Sequence, residues 1–362
     1  MQREKLLFYK KPAYEVSSGF RHYLNRYNRL IEIPIFYEDL LRFETAVSVY
    51  DAKERDTLWV RVVYPELERE EIDKSLKQIY SNLHSDGNEE IIKYLSVDAV
   101  DFCTFGNSKP FRVKVRNILN DNYTYFYVKK TDASRLYGLE LEHLLSPYNL
   151  NFLVYEGTLI EEHISGIPGD IFIEEYLPQL SKSQQNQLAK EFVKFNERCF
   201  VMLLGDMRSY NYVIDVTPDF DMEQYRARPI DFDQLTYEGR KNHYMPQFYK
   251  ENLAVVQFCM EVLTPSTVNQ YQTEERTLIK KRYDLAQLRL NKLLDCMEGQ
   301  QLSSEEKLGS LRNDLNAYYQ TTAFDSCQSM GSLLRLHLSL ILDKTEHVPL
   351  KGKTAFKTQQ WM

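Results

Sequence analysis

Between residues 96 and 165 the sequence switches hydrophobic period twice, and this constrains the fold more than any other feature of the chain. "VDAVDFCTFG", "FRVKVRNIL" and "YTYFYVKK" read as three successive strands, with "FGNSKP" and "NDN" between them. "DASRLYGLELEHLLS" then reads as a helix, with Asp132 or Ser134 as its cap. "NFLVYEG" and "TLIEEHISG" return to a β-like pattern. From "IPGD" onward the chain is mostly helical: "SKSQQNQLAKEFVKFNERCFVMLL" sets Leu188, Phe192, Phe195 and Cys199 at spacings of three or four. A small sheet with one helix, followed by a helical body, is an α+β arrangement.

Residues 1–95 read as an accessory α/β domain. "TAVSVYDAKERDTLWVRVVYP" has the pattern of a hairpin turning at "DAKERD". "ELEREEIDKSLKQIYSNLHSDG" has that of an amphipathic helix with Ile72, Leu76, Ile79 and Leu83 on one stripe and Gly87 as its stop. The expected division is therefore 1–95, 96–165 and 166–350, with 351–362 a mobile tail. Near the C-terminus "LLRLHLSLIL" alternates Leu with Arg, His and Ser, so its period fits helix and strand alike.

Composition excludes several classes. The net charge of −7, with both signs spread along the chain, leaves no basic footprint for nucleic acid. No apolar run approaches the ~18 residues of a membrane span, and "MQREKLLFYKKPAYE" has no signal-peptide core. Five scattered cysteines, without a Cys-x-x-Cys pair, read as free thiols of a cytoplasmic protein and not as a zinc site.

The chemistry concentrates in "GDMRSYNYVID" and the later "RPIDFDQ", where Asp206, Asn211 and Asp231 stand among apolar residues. Phosphoryl transfer asks a protein for positioning, for charge neutralisation and for a carboxylate near the attacking hydroxyl. Mg²⁺ takes oxygen ligands, for which Asn211 and Asp231 are suited, and Asp206 suits the hydroxyl. Asp215 and Asp233 read as supporting residues. Taken singly, each of these acids and amides also fits a turn or cap.

"LGDMRSYN" and "IDFDQ" resemble the H-G/N-D-x-x-x-x-N and I-D-F/W-E/D motifs of the protein-kinase-like fold, in its aminoglycoside phosphotransferase and choline kinase branch. The resemblance covers roughly residues 96–260 and rests on the order of the parts. It implies a bilobal fold, a small antiparallel sheet plus a helical lobe, with ATP and Mg²⁺ as cofactors and a hydroxyl acceptor. The acceptor it implies is a small molecule, a protein acceptor being the alternative. Asp206 would be the base, Arg208 a phosphate or loop contact, and Asn211 and Asp231 the metal ligands. "VKKTD" resembles the phosphate-binding strand, which makes Lys129 the strand lysine; alternation sets Tyr125, Tyr127 and Lys129 on one face. Its helix partner would be Glu140 or Glu142, which lie about 200° apart on the helix. Glu161, Glu162, His163 and Ile164 would form the nucleotide hinge, followed by "SGIPG".

Three positions depart from the pattern. Leu204 replaces the usual histidine before Gly205, Gly106 is the one glycine of "CTFGNSKPF", and Asn252 of "ENLAVV" stands where an Asp is common. These departures leave room for a pseudokinase that binds nucleotide or a partner. Nucleotidyl transfer on the same fold is a further alternative.

Overall fold

The computed structural model describes residues 11–85, 87–106, 108–220 and 222–343. The chain divides into two compact units, one of residues 1–132 and 150–163, the other of 133–149 and 164–362. The 351–362 tail and the start of the chain fall outside the described residues. Among those residues no helix is long and apolar enough to cross a membrane, and all five cysteines are free thiols.

The first unit is one antiparallel sheet with a helix on it. Helices α1 (Ser18–Arg26) and α2 (Tyr37–Leu40) precede the strands β1 (Thr45–Tyr50) and β2 (Asp56–Val63). Helix α3 (Glu66–His84) leads to β3 (Leu95–Cys103), β4 (Phe111–Asn117) and β5 (Tyr123–Lys130); β6 (Phe152–Tyr155) and β7 (Thr158–Glu162) complete the unit. Among the described residues the seven strands run in the order β1-β2-β3-β4-β5-β7-β6. Alternation decides the faces: Phe111, Val113, Val115, Phe126 and Val128 turn to one side. There they pack with Ile72, Leu76, Ile79 and Leu83, the stripe of α3 expected from its period.

The boundary expected at residue 95 is not there. Trp59–Arg61 of β2 pair with Cys103–Asp101 of β3, so the N-terminal hairpin extends the same sheet and α3 shares its core. The helix after β5, α4 (Ala133–Leu145), belongs to the other unit.

The second unit is mainly helical. After β8 (Ile167–Pro168) and the short α5 (Gly169–Ile171) comes α6 (Lys182–Met202), opened by a capping box between Ser181 and Gln184. The hairpin of β9 (Tyr212–Asp219) and β10 (Met222–Pro229) forms a second sheet with β8. Helices α7 (Leu253–Val262), α8 (Pro265–Leu285), α9 (Gln287–Glu298), α10 (Glu305–Tyr319) and α11 (Met330–Asp343) follow. The ambiguous "LLRLHLSLIL" is helix α11, with His337 fully buried. There His337 Nε2–H donates to Phe200 O (2.9 Å) and Nδ1 accepts from Tyr319 (3.1 Å).

Arg198 is a buried charge of this unit that is fully paired. Arg198 on α6 bonds Glu191 (2.7 Å), Glu275 of α8 (3.1 Å) and the carbonyl of Ala227 on β10 (2.9 Å). A buried guanidinium needs such a set of acceptors to offset its lost hydration.

Candidate functional site

The β9–β10 hairpin builds the site. Its register pairs Tyr212 with Pro229, which sets Asn211 beside the residues after Pro229. The ladder continues one step further, Ile230 N–H donating to Asn211 O (3.0 Å). Buried Tyr212, Val213 and Ile214 hold this end of the hairpin in the core. The segment before it is tied to the segment after it: Leu204 bridges Leu235, Gly205 N–H donates to Gln234 O (3.2 Å), and Thr236 N–H donates to Leu203 O (2.9 Å). Asp206, Asn211 and Asp231 thus stand on two adjoining loops of one unit.

These loops carry left-handed backbone at residues other than glycine: Leu203 (φ 52°), Asp206 (φ 58°) and Thr236 (φ 46°). Each such residue costs on the order of 1–3 kcal/mol, which the surrounding contacts must offset. At Asp206 those contacts are visible. Its N–H points at Tyr249 Oη (2.9 Å) and His243 O (3.3 Å), and Tyr249 in turn donates to His243 O (2.7 Å). Buried Leu204 sits where the resemblance expects a histidine, and the side-chain partner of the Asp206 N–H is Tyr249.

Asn252, fully buried, ties the loop down. Its Nδ2 donates to Met207 O (2.9 Å) and Pro246 O (2.7 Å), and its Oδ1 accepts from Tyr212 (3.0 Å). Gly169 of "SGIPG" allows the close approach below: a Cβ there would lie 2.4 Å from the Tyr212 ring and 2.5 Å from Ser209 O.

The Asp206 carboxylate is a third exposed. Its Oδ1 accepts from Arg208 Nε (2.8 Å), and Arg208 Nη1 reaches on to Glu251 (2.7 Å). Burial pushes the Asp206 carboxyl above the ordinary carboxylate range; Arg208 pulls it down, and Glu238 and Glu251 push it up again. Arg208 itself is held firmly charged: burial opposes this, but Asp206 and Glu251 outweigh it. Asn211 Nδ2 donates to Asp206 O (2.7 Å) and faces Asp206 Oδ2 at 3.3 Å.

Asp231 and Asp233 share a cation. Arg135 of α4, almost fully buried, bonds Asp231 Oδ1 through Nη2 (2.6 Å) and Asp233 Oδ1 through Nε (2.5 Å). Gly138, one turn along α4, lets Phe232 between them approach closely, since a Cβ there would lie 2.9 Å from Phe232 Cβ. For a divalent cation the donors fit in kind: with the Asn211 amide nitrogen turned to Asp206, its oxygen is the atom left for a ligand, and Asp231 supplies a carboxylate. No cluster of three or more acidic, His or Cys side chains able to hold a metal occurs among the described residues. A Mg²⁺ shared with phosphates needs only one or two carboxylates.

The other sequence candidates fall as follows. In the first unit Lys129 is buried and pairs with Glu161 at 2.5 Å. Tyr127 stands opposite Glu161 and Lys129 opposite Leu159, so the pair is a cross-strand diagonal between β5 and β7. The partner of Lys129 is therefore Glu161 of the neighbouring strand and not the glutamate expected from the helix. Glu140 instead takes Arg289 of α9, whose Nη2 donates to both its oxygens (2.9 and 2.7 Å). Glu142 is buried too; burial pushes its carboxyl up, while Ser146, Arg198 and Arg228 oppose the shift. Glu162 ends β7 and accepts Asn151 N–H (2.9 Å). His163, the first residue past the strand, meets the Tyr127 hydroxyl at 3.1 Å, and its imidazole is lowered by burial and then by Arg112. Ile164 is buried in the second unit. Gly106 makes an exposed turn with φ 85°.

Arg135, Glu251 and Tyr249 were not singled out from sequence. For Arg135 a signal existed: a charge in a helix buried on nearly all sides must have a partner. Glu251 and Tyr249 carry no local signal, because their roles depend on the path of the loop 237–252.

No family model matches the chain, and no curated protein matches it. Among solved structures it is similar to a Plasmodium vivax ethanolamine kinase, at 12% identity over 73% of this chain and 92% of that one, with a TM-score of 0.29. That likeness is too distant to carry fold or function.

Proposed function

We propose that the chain transfers a phosphoryl group from Mg²⁺-bound ATP to a hydroxyl of a small molecule, on a kinase-like fold. The observation that carries this reading is the junction of Asp206, Asn211 and Asp231 on two adjoining loops, in the order of the kinase-like motifs. The acceptor oxygen attacks the γ-phosphorus, the bond to the β–γ bridging oxygen breaks, and ADP leaves with that electron pair. Asp206 orients the hydroxyl and receives its proton. Its raised affinity for protons suits it to the task, because a base works best near the working pH. Asn211 and Asp231 would hold the cation, which when bound neutralises phosphate charge. Arg208 steadies Asp206 and carries fixed positive charge beside it.

A second reading has one observation in its favour. Arg135 already neutralises Asp231 and Asp233, so the acidic loop is stable as a scaffold that performs no transfer. Calorimetric titration with ATP, with and without Mg²⁺, separates the two. Metal-dependent binding that Asp231→Asn abolishes while the fold persists is the expected result. Equal turnover by Asp231→Asn would sink the transfer reading.

A further inference from the structure

We infer that the open groove beside the catalytic loop is a phosphate-monoester site, so that the acceptor already carries one phosphate. The acceptor half of this inference rests on the phosphotransfer reading; the anion site does not. The groove has a volume of about 470 Å³ and is lined by Arg240, Lys241, Asn242, His243, Asp314, Ala317 and Tyr318. That volume falls within the range of small-molecule sites. The turn Lys241–Tyr244 forms one wall, and it is also the support of Asp206, whose N–H points at His243 O. A molecule held here lies against the segment that fixes the base.

The charges are arranged for an anion. Lys241 is half-buried, over the Tyr318 ring at 5.4 Å, with its ammonium donating to the neutral Asn242 Oδ1 (3.2 Å). No carboxylate lies within ion-pair distance of that ammonium among the described residues. Arg240 is 70% exposed and reaches Asp314 only at 3.9 Å. Asp314 is itself held by the Lys241 backbone N–H (3.0 Å). Two cations thus face one carboxylate, with His243 adding donor capacity at the rim and its own Glu238 contact at 3.5 Å. Burial lowers the proton affinity of the Lys241 ammonium, Asp314 offsets part of this, and an arriving anion would relieve the rest. Arg240 contributes the planar fork that favours phosphate.

The test uses the full chain without nucleotide. Broadening of the ³¹P resonance of inorganic phosphate reports binding to wild type, Arg240→Gln, Lys241→Met and the conservative Lys241→Arg. Loss of a charge-assisted contact should weaken binding about tenfold or more in the first two variants, and Lys241→Arg should retain most of it. Arg240 is exposed, so Arg240→Gln keeps the test sound even where Lys241→Met perturbs folding. Phosphate binding unchanged by Arg240→Gln and Lys241→Met overturns the site. Acetate displacing phosphate at equal concentration overturns the choice of phosphate. ATP affinity, titrated separately, should be the same in all four proteins. A wild type that binds phosphate here but not ATP would remove the transfer reading and keep the site.

Discussion

Asn252 is the residue on which the loop geometry can be tested most sharply. It is fully buried and closes three hydrogen bonds, to Met207 O, Pro246 O and the Tyr212 hydroxyl. Asn252→Ala takes the partner from Met207 O and the Tyr212 hydroxyl, while Pro246 O keeps the Tyr249 N–H (3.2 Å). An orphaned buried polar group costs about 1–3 kcal/mol, so two of them cost about 2 kcal/mol at the low end, and about 2–4 kcal/mol with partial relaxation. For a unit of this size that lowers the melting temperature by about 4–16 °C. Asn252→Asp should be worse than Ala, although Asp is common at this place in the kinase-like branch. The amide nitrogen faces two carbonyl oxygens, and a carboxylate would set acceptor against acceptor with a buried charge. Tyr212→Phe removes one of the orphans, so adding it to Asn252→Ala should cost less than the sum of the single changes. Scanning calorimetry of the four proteins measures this. An Asn252→Ala variant within about 1 kcal/mol of wild type, or an Asp variant milder than Ala, refutes the reasoning.

Arg135→Gln removes the buried cation that Asp231 and Asp233 share and should destabilise by up to about 3 kcal/mol, at the low end of breaking a buried ion pair because Asp231 is partly exposed. With that cation gone, Mn²⁺ should bind more tightly by electron paramagnetic resonance, and added Mg²⁺ should recover part of the melting temperature; unchanged Mn²⁺ affinity counts against it. Glu251→Gln should move the acid limb of the pH–rate profile to lower pH. Glu251 raises the Asp206 carboxyl, so removing its charge lowers that value and keeps the base ionised further into acid. A limb that moves up, or stays, would show that Asp206 is not the titrating base.

The sequence made the acidic loops legible because the polar residues sit among strand-forming neighbours. Tyr212, Val213 and Ile214 after Asn211 demanded a strand, and its partner is Met222–Pro229, which ends just before Ile230. The period of α3 was equally readable, since the four residues of its stripe, Ile72, Leu76, Ile79 and Leu83, are buried on the sheet. The boundary at residue 95 misled for a physical reason. A hairpin looks complete by local pattern, and the pairing of Trp59–Arg61 with Cys103–Asp101 spans about forty residues that no periodicity records. "LLRLHLSLIL" was ambiguous because its one polar core residue, His337, behaves as an apolar one. Burial lowers its imidazole to about 4, and it stays neutral between Phe200 and Tyr319.

The partner of Lys129 shows where single-chain reading ends. Alternation correctly set Tyr125, Tyr127 and Lys129 on one face, opposite the buried Phe126 and Val128. Which acid meets the ammonium depends on the register of β5 against β7, and a slip of one residue would turn Glu161 to the other face. Helix spacing could rank Glu140 against Glu142 only on the assumption that one of them met the lysine. The chain instead uses those glutamates in a helix buried on nearly every side, where Arg289 answers Glu140, while burial pushes the Glu142 carboxyl up and Ser146 and Arg198 offset only part of that. A charge in such a helix is a demand for a counter-charge, and its sequence states the demand without the address. Arg135 follows the same rule, and its address is the acidic loop at the centre of the proposed site.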